Sequence, residues 1–400
     1  MTRMLKSTSR MDAVQAPIVA VVGDLIRQNP GTISLGQGVV HYGPPQAAID
    51  AARRALMDPA THEYQDGNGL PALVERLGVK LREENGIDLT RGSVLMVTAG
   101  ANMAFMHAVF AITNPGDEII LNVPFYFNHE MAVQMAGCAA VRVATDDHYQ
   151  PRLDALRQAI TGRTRAIVTV SPNNPSGAVF SGTAIRDVNA LCREHGLYHI
   201  ADEVYEYFTF GSARHVSAGS IPGSEGHTIS MFSLSKAYGF AGWRVGYVVY
   251  PEHLASAMAK SQDTILVCPP VVSQVAAIAA LEVGRAYCEP YVRGLAGIRD
   301  IVVSRLSELA PLAGVPAGDG AFYVLLRVYA DVDPMQVAER LIRQHKVAVI
   351  PGPAFGMTDG CCFRVAFGAL ERATVAEGIG RLVEGLRVIT QGLTEGLTGV

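Results

Sequence analysis

The stretch Ser230-Met231-Phe232-Ser233-Leu234-Ser235-Lys236-Ala237-Tyr238-Gly239-Phe240-Ala241-Gly242-Trp243-Arg244-Val245-Gly246 decides how this chain reads. An apolar strand, Thr228 to Phe232, runs into two hydroxyls, a lysine, several glycines and then Arg244. Most lysines of a soluble protein are solvated surface charges. Lys236 differs: it follows an apolar strand, has no carboxylate beside it in sequence and sits among serine and glycine. That setting places its amine in an interior cleft. Burial there, or a cation such as Arg244, lowers its pKa and makes it nucleophilic toward an aldehyde.

On both sides of this stretch short apolar runs alternate with helical segments. Strands are expected at Val94–Thr98, Ile119–Val123, Ala140–Ala144, Ala166–Val170, Tyr198–Ala201, Thr228–Phe232 and Val245–Tyr250, with helices of about ten residues between them. This rhythm predicts an α/β fold with a mostly parallel sheet sandwiched by helices. After about Tyr287 it gives way to a long helix from Tyr291 to Leu309, strand Phe322–Val328, helix Pro334–His345, strands Ala348–Pro351 and Cys362–Ala366, and a closing helix from Ala373 to about Leu393. That pattern is a smaller α+β domain, and the N-terminal segment is expected to pack on it. The expected organisation is 1–45 as an arm and part of the small domain, 46–287 as the large domain and 288–400 as the small C-terminal domain. Four hundred residues, 49% of them hydrophobic, suffice for two cores.

Ligands of such sheets bind beyond the carboxyl ends of the strands, and four polar clusters fall there. Thr98-Ala99-Gly100-Ala101-Asn102 is a glycine turn opening a helix: either an ordinary βα turn or a phosphate seat at the amides of Ala101 and Asn102. Ser233, Ser235 and Arg244 favour the seat, since two hydroxyls and a forked cation suit a phosphate dianion. Asp202 ends an apolar strand, where a charge needs a partner. It reads as a loop cap or as the carboxylate that keeps a pyridine nitrogen protonated. Asn174, in Ser171-Pro172-Asn173-Asn174-Pro175-Ser176-Gly177, and Tyr205 could donate to a phenolic oxygen on that ring, although Asn-Pro also marks turns. Tyr126 is a ring-stacking or core aromatic. Arg364, embedded between Phe363 and Phe367, must reach an edge or meet an anion, and an α-carboxylate held bidentately fits. An amine, a carboxylate, a phosphate cup, hydroxyl-side donors and a stacking surface together match one cofactor, pyridoxal 5'-phosphate.

The balance of 33 Lys and Arg against 37 Asp and Glu gives no electrostatic case for nucleic acid or an anionic membrane, so a small-molecule substrate is expected. The six cysteines form no C-x-x-C pair, and a reducing cytoplasm fits them. The basic segment Met1–Arg10 and the apolar run Ala16–Val22 read as an arm leading into a short helix rather than a signal peptide. No run reaches the roughly 18–20 apolar residues of a membrane helix.

The motif set Ser171 to Gly177, Asp202-Glu203-Val204-Tyr205, Ser233-Leu234-Ser235-Lys236 with Arg244, and Phe363-Arg364 resembles the class I/II aminotransferases, fold-type I pyridoxal-phosphate enzymes, in order and spacing from about Ile33 onward. The resemblance implies that Lys236 binds the cofactor aldehyde and then moves the proton. By the same resemblance Asp202 pairs with the pyridine nitrogen, Asn174 and Tyr205 face the phenolic oxygen, and Tyr126 stacks on the ring. Ala101, Asn102, Ser233 and Arg244 would hold the phosphate and Arg364 the substrate carboxylate, with Gly38 against the substrate. Tyr64 would reach the phosphate of a neighbouring subunit, which implies a homodimer. Gly36-Gln37-Gly38 and Tyr126 to Met131 are similar to members acting on aromatic, methionine or broad-range amino acids. The implied activity is ping-pong transfer of an α-amino group from an amino acid to a 2-oxo acid. The alternatives are a β-lyase, amino-acid oxidase or cyclase on the same site, or a non-catalytic effector-binding domain. The latter is disfavoured because no DNA-binding segment precedes the fold.

Overall fold

The computed structural model describes residues 9–316 and 318–397. Of the basic arm, Met1 to Thr8 lies outside the described residues. The chain enters through a short helix, Ser9–Asp12, and an amphipathic one, Ile18–Gln28, which is longer than the apolar run Ala16–Val22 suggests. It then forms strand β1 (Ile33–Ser34).

Seven strands make the large sheet. They are β2 (Ser93–Thr98), β3 (Glu118–Val123), β4 (Ala139–Ala144), β5 (Thr164–Val170), β6 (Tyr198–Asp202), β7 (Thr228–Ser233) and β8 (Gly246–Pro251), in the spatial order β2-β8-β7-β6-β5-β3-β4. Only β8 is reversed, being antiparallel to both β2 and β7. The other six therefore point one way, and their carboxyl ends share a rim. The side chains alternate between the two faces of the sheet. Leu95, Val97 and Phe232 join the core that includes helices Pro71–Asn85 and Val271–Val283. Met96, Ile229 and Met231 join the core under helices Ala101–Ile112 and Ala255–Ile265. Burial on both faces explains why β5 and β6 read as mostly apolar runs rather than as an apolar–polar alternation.

The second sheet is antiparallel. It contains β9 (Ala313–Gly314), β10 (Tyr323–Val328), β12 (Ile350–Pro351) and β13 (Cys361–Ala366), in the order β12-β13-β10-β9. Here one sequence expectation fails. The strand expected over Ala348–Pro351 is two strands divided at Val349. The first, β11 (Val347–Ala348), pairs in parallel with β1, and the second, β12, pairs with β13. A four-residue apolar run carries no signal for a switch of partner, because both halves are buried. The N-terminal segment joins this part of the fold through the β1–β11 pairing, and the closing helix spans Arg372–Leu397. Among the described residues no single helix is long and apolar enough to cross a membrane.

Candidate active site

At the shared rim a cleft of about 220 Å³ opens between the two sheets. Twelve of the thirteen residues singled out from sequence line it: Gly38, Ala101, Asn102, Tyr126, Asn174, Asp202, Tyr205, Ser233, Ser235, Lys236, Arg244 and Arg364. Tyr64 does not. It is 81% exposed and borders a separate recess with His62, Cys268 and Pro269.

One wall of the cleft is an anion cup. Helix Ala101–Ile112 starts at Gly100 with no side-chain cap, so the amides of Ala101 and Asn102 have no intrahelical partner. Gly100 has φ +84°, and a Cβ there would strike the guanidinium of Arg244, so only glycine lets the cation approach. Arg244 is itself in the left-handed region, φ 56°, and is steadied by Nη1–H donating to Ala241 O at 2.8 Å. The hydroxyls of Ser233 and Ser235 are 2.8 Å apart on the same loop. An uncapped helix start, two hydroxyls and a guanidinium fit a phosphate dianion.

The floor carries the carboxylate and the amine. Asp202 ends β6 at 4% exposure, and its Oδ2 lies 3.1 Å from Nε2 of His129. Lys236 Nζ donates to Gly38 O at 2.6 Å. Its pKa falls to about 8, first through burial, then through the nearby cations Arg364 and Arg244, with Asp202 pulling the other way. The expected cause was right and the expected cation incomplete, since Arg364 outranks Arg244. A carboxylate absent from the lysine's sequence neighbourhood is present in space. At pH 7 a pKa near 8 leaves about a tenth of the amine neutral, against roughly one part in 3,000 for an ordinary lysine.

The opposite wall comes from the second sheet. Arg364, 2% exposed, donates from Nη1 to Asn174 Oδ1 at 2.9 Å and from Nη2 to Gly36 O at 2.7 Å, while its Nε has no partner among the described residues. A buried guanidinium bonded only to neutral acceptors retains its full charge for an anion. Tyr205 is held far above its ordinary pKa by burial and remains a neutral donor.

Residues 30–382 match the family "Aminotransferase class I and II". The chain belongs to this family. It is 34% identical to the aromatic aminotransferase ISS1 of Arabidopsis thaliana over 390 residues, covering 95% of this chain and 96% of that protein. It is 34% identical to the aspartate/prephenate aminotransferase of Thermus thermophilus over 338 residues, covering 83% and 86%. Among solved structures, the aspartate aminotransferase from Thermus thermophilus with maleate superposes with TM-score 0.88 at 31% identity, over 96% of this chain and all of that one. The aromatic aminotransferase from Pyrococcus horikoshii gives TM-score 0.84 at 32% identity, over 92% and 99%. The aminotransferase uses pyridoxal 5'-phosphate and has the fold-type I architecture, a mostly parallel sheet sandwiched by helices with a smaller α+β part. The family acts on amino acids and 2-oxo acids and is typically dimeric.

Two contacts at the site escaped the sequence. His129 lies three residues after Tyr126, at helical spacing, and is a buried polar group on helix Phe127–Met135; that pattern could have marked it. Tyr323 lines the aminotransferase cleft, with its hydroxyl 2.8 Å from that of Tyr205. It left no signal, because only the register of β10 against β13 brings it there.

Proposed function

We propose that the aminotransferase moves the α-amino group of amino acids with aromatic or other apolar side chains to a 2-oxo acid, in ping-pong fashion. The observation that carries the substrate preference is the cleft lining. Its cations are Lys236, Arg244 and Arg364, which we assign to the amine chemistry, the phosphate and the α-carboxylate. The lining also includes Val19, Phe127, Val204 and Tyr323, which suits an apolar side chain. The similarity to aromatic aminotransferases agrees with this reading.

In this assignment Ala101, Asn102, Ser233 and Arg244 hold the cofactor phosphate, Tyr126 packs on the ring, and Asp202 keeps the pyridine nitrogen protonated. Asn174 and Tyr205 face the phenolic oxygen. Bound there, the cofactor supplies an electron sink for the α-carbon. Arg364 grips the substrate carboxylate with Gly38 alongside, and Lys236, poised near neutrality, takes the α-proton and returns it. The 1–45, 46–287 and 288–400 division follows the same reading. Tyr64, with Leu56, Met57, Ile265 and Val267, offers exposed apolar surface for a second copy, and we assign Tyr64 to the partner's phosphate in a homodimer. Six free thiols fit a reducing cytoplasm. Incubation with an amino-acid panel and 2-oxoglutarate tests the proposal. Glutamate should form faster with phenylalanine, tyrosine and methionine than with aspartate, and an aspartate preference overturns it.

A further inference from the structure

In the antiparallel pairing of β10 with β13, Leu325 lies opposite Arg364, so Tyr323 stands two residues along on the same face. Its ring is fully buried, with the centroid 4.8 Å from Cζ of Arg364. It meets the ring of Tyr205 edge-on, 5.5 Å away at 84°. A Cβ on Gly38 would come within 2.8 Å of the Tyr323 oxygen, so the backbone at Gly38 leaves that hydroxyl little room to turn away. Its hydrogen-bond partner is Tyr205, at 2.8 Å.

A tyrosine hydroxyl has one proton to give. If Tyr205 gives its proton to Tyr323, it has none for a cofactor oxygen. If Tyr323 is the donor, Tyr205 keeps its proton and points it into the cleft. The guanidinium over the Tyr323 ring draws electron density from that phenol and makes it the better donor of the two. We propose that Tyr323 is a positioning residue whose hydroxyl donates to Tyr205 and so commits the Tyr205 proton to the phenolic oxygen of the cofactor. This rests on the cofactor placement given above. Two hydroxyls in series polarise one another, strengthening the outer bond by about 10–30%. A stronger donor at the phenolic oxygen weakens that oxygen's hold on the proton of the lysine–cofactor linkage. The linkage then loses its proton at lower pH.

The titratable and charged groups facing the pair are Tyr126 ahead of helix Phe127–Met135, Arg364 on β13, Asp202 at the end of β6, and Lys236 after β7, its Nζ 5.8 Å from the Tyr205 ring centre. All stay in place in Tyr323→Phe, which removes one oxygen.

The experiment is a pH titration of the visible absorbance of the holoenzyme in the native protein, Tyr323→Phe, Tyr205→Phe and the double variant. Tyr323→Phe should raise the midpoint by about half a pH unit, Tyr205→Phe should raise it further, and the double variant should match Tyr205→Phe alone. Tyr323→His, whose ring N–H can replace the lost proton, should return the midpoint toward native. It also serves as the test if the phenylalanine variant does not fold. An unmoved midpoint in Tyr323→Phe, shifts that add in the double variant, or a histidine variant no nearer native than phenylalanine overturns the inference. Failure of the native protein to develop any lysine-linked absorbance with pyridoxal 5'-phosphate overturns the placement itself, a distinguishable result.

Discussion

The two walls of the cleft are built on different plans. The cofactor wall is mostly local, with the start of helix Ala101–Ile112 joining it from elsewhere in the chain. Ser233, Ser235, Lys236 and Arg244 lie on one loop, where the Ser235 amide donates to Ser233 Oγ and Arg244 to Ala241 O. The substrate wall is assembled from distant segments. Arg364 on β13 is held by Gly36 from the N-terminal segment and by Asn174 from the loop after β5, and Lys236 reaches across to Gly38. A local wall is fixed by the sequence around it, whereas an assembled wall depends on two sheets keeping their relative position. Chemistry should therefore fail when the first is damaged, and substrate capture when the second is.

Substitutions can break that division, beginning with the largest effect. Lys236→Ala should abolish transamination and the absorbance of the lysine-linked cofactor; an unchanged spectrum and rate would falsify the central assignment. Arg364→Ala should lower kcat/KM for α-amino acids by about 10²–10³, mostly through KM. Equal losses with amines lacking a carboxylate would show that the arginine belongs to the cofactor wall instead. Asn174 touches Arg364 and faces the cofactor side, so Asn174→Ala should cost about 10–100-fold and should affect both KM and the absorbance midpoint. An effect on only one of these would place the residue in a single wall.

The pH dependence sharpens the same comparison. The apo-protein should capture pyridoxal 5'-phosphate through the neutral form of Lys236. The capture rate should rise about tenfold per pH unit below 8 and level off above it, because the folded pKa is depressed to about 8. Removing the Arg364 cation should move that break upward, toward the ordinary lysine value. A break that stays put in Arg364→Ala would mean that the assembled wall does not tune the local one.

The same division governed what could be read from the sequence. Lys236, Asp202, Asn174 and the phosphate cup lie at strand ends, where an apolar run stopping at a polar residue marks the place. Arg364 was visible because a charge inside an apolar strand demands explanation. Tyr323 was not, since a tyrosine in a buried strand looks like core until its cross-strand register is known. His129 fell between: its burial agrees with helical spacing, but its bond to Asp202 exists only after β3 and β6 are placed in one sheet. The divided strand at Val349 was unreadable because both of its halves are equally apolar.

That divided strand also fixes an order of events during synthesis. Ile33 pairs with Val347, and Gly36 accepts from Arg364, so β1 and Gly36 find these partners only after some 300 further residues have left the ribosome. At about 5–20 residues per second that is a wait of roughly 15–60 s. The large sheet, complete by Pro251, can close while the first strand is still unpaired. The nascent chain thus has its lysine and its phosphate cup before it has the segment that holds an amino acid against them.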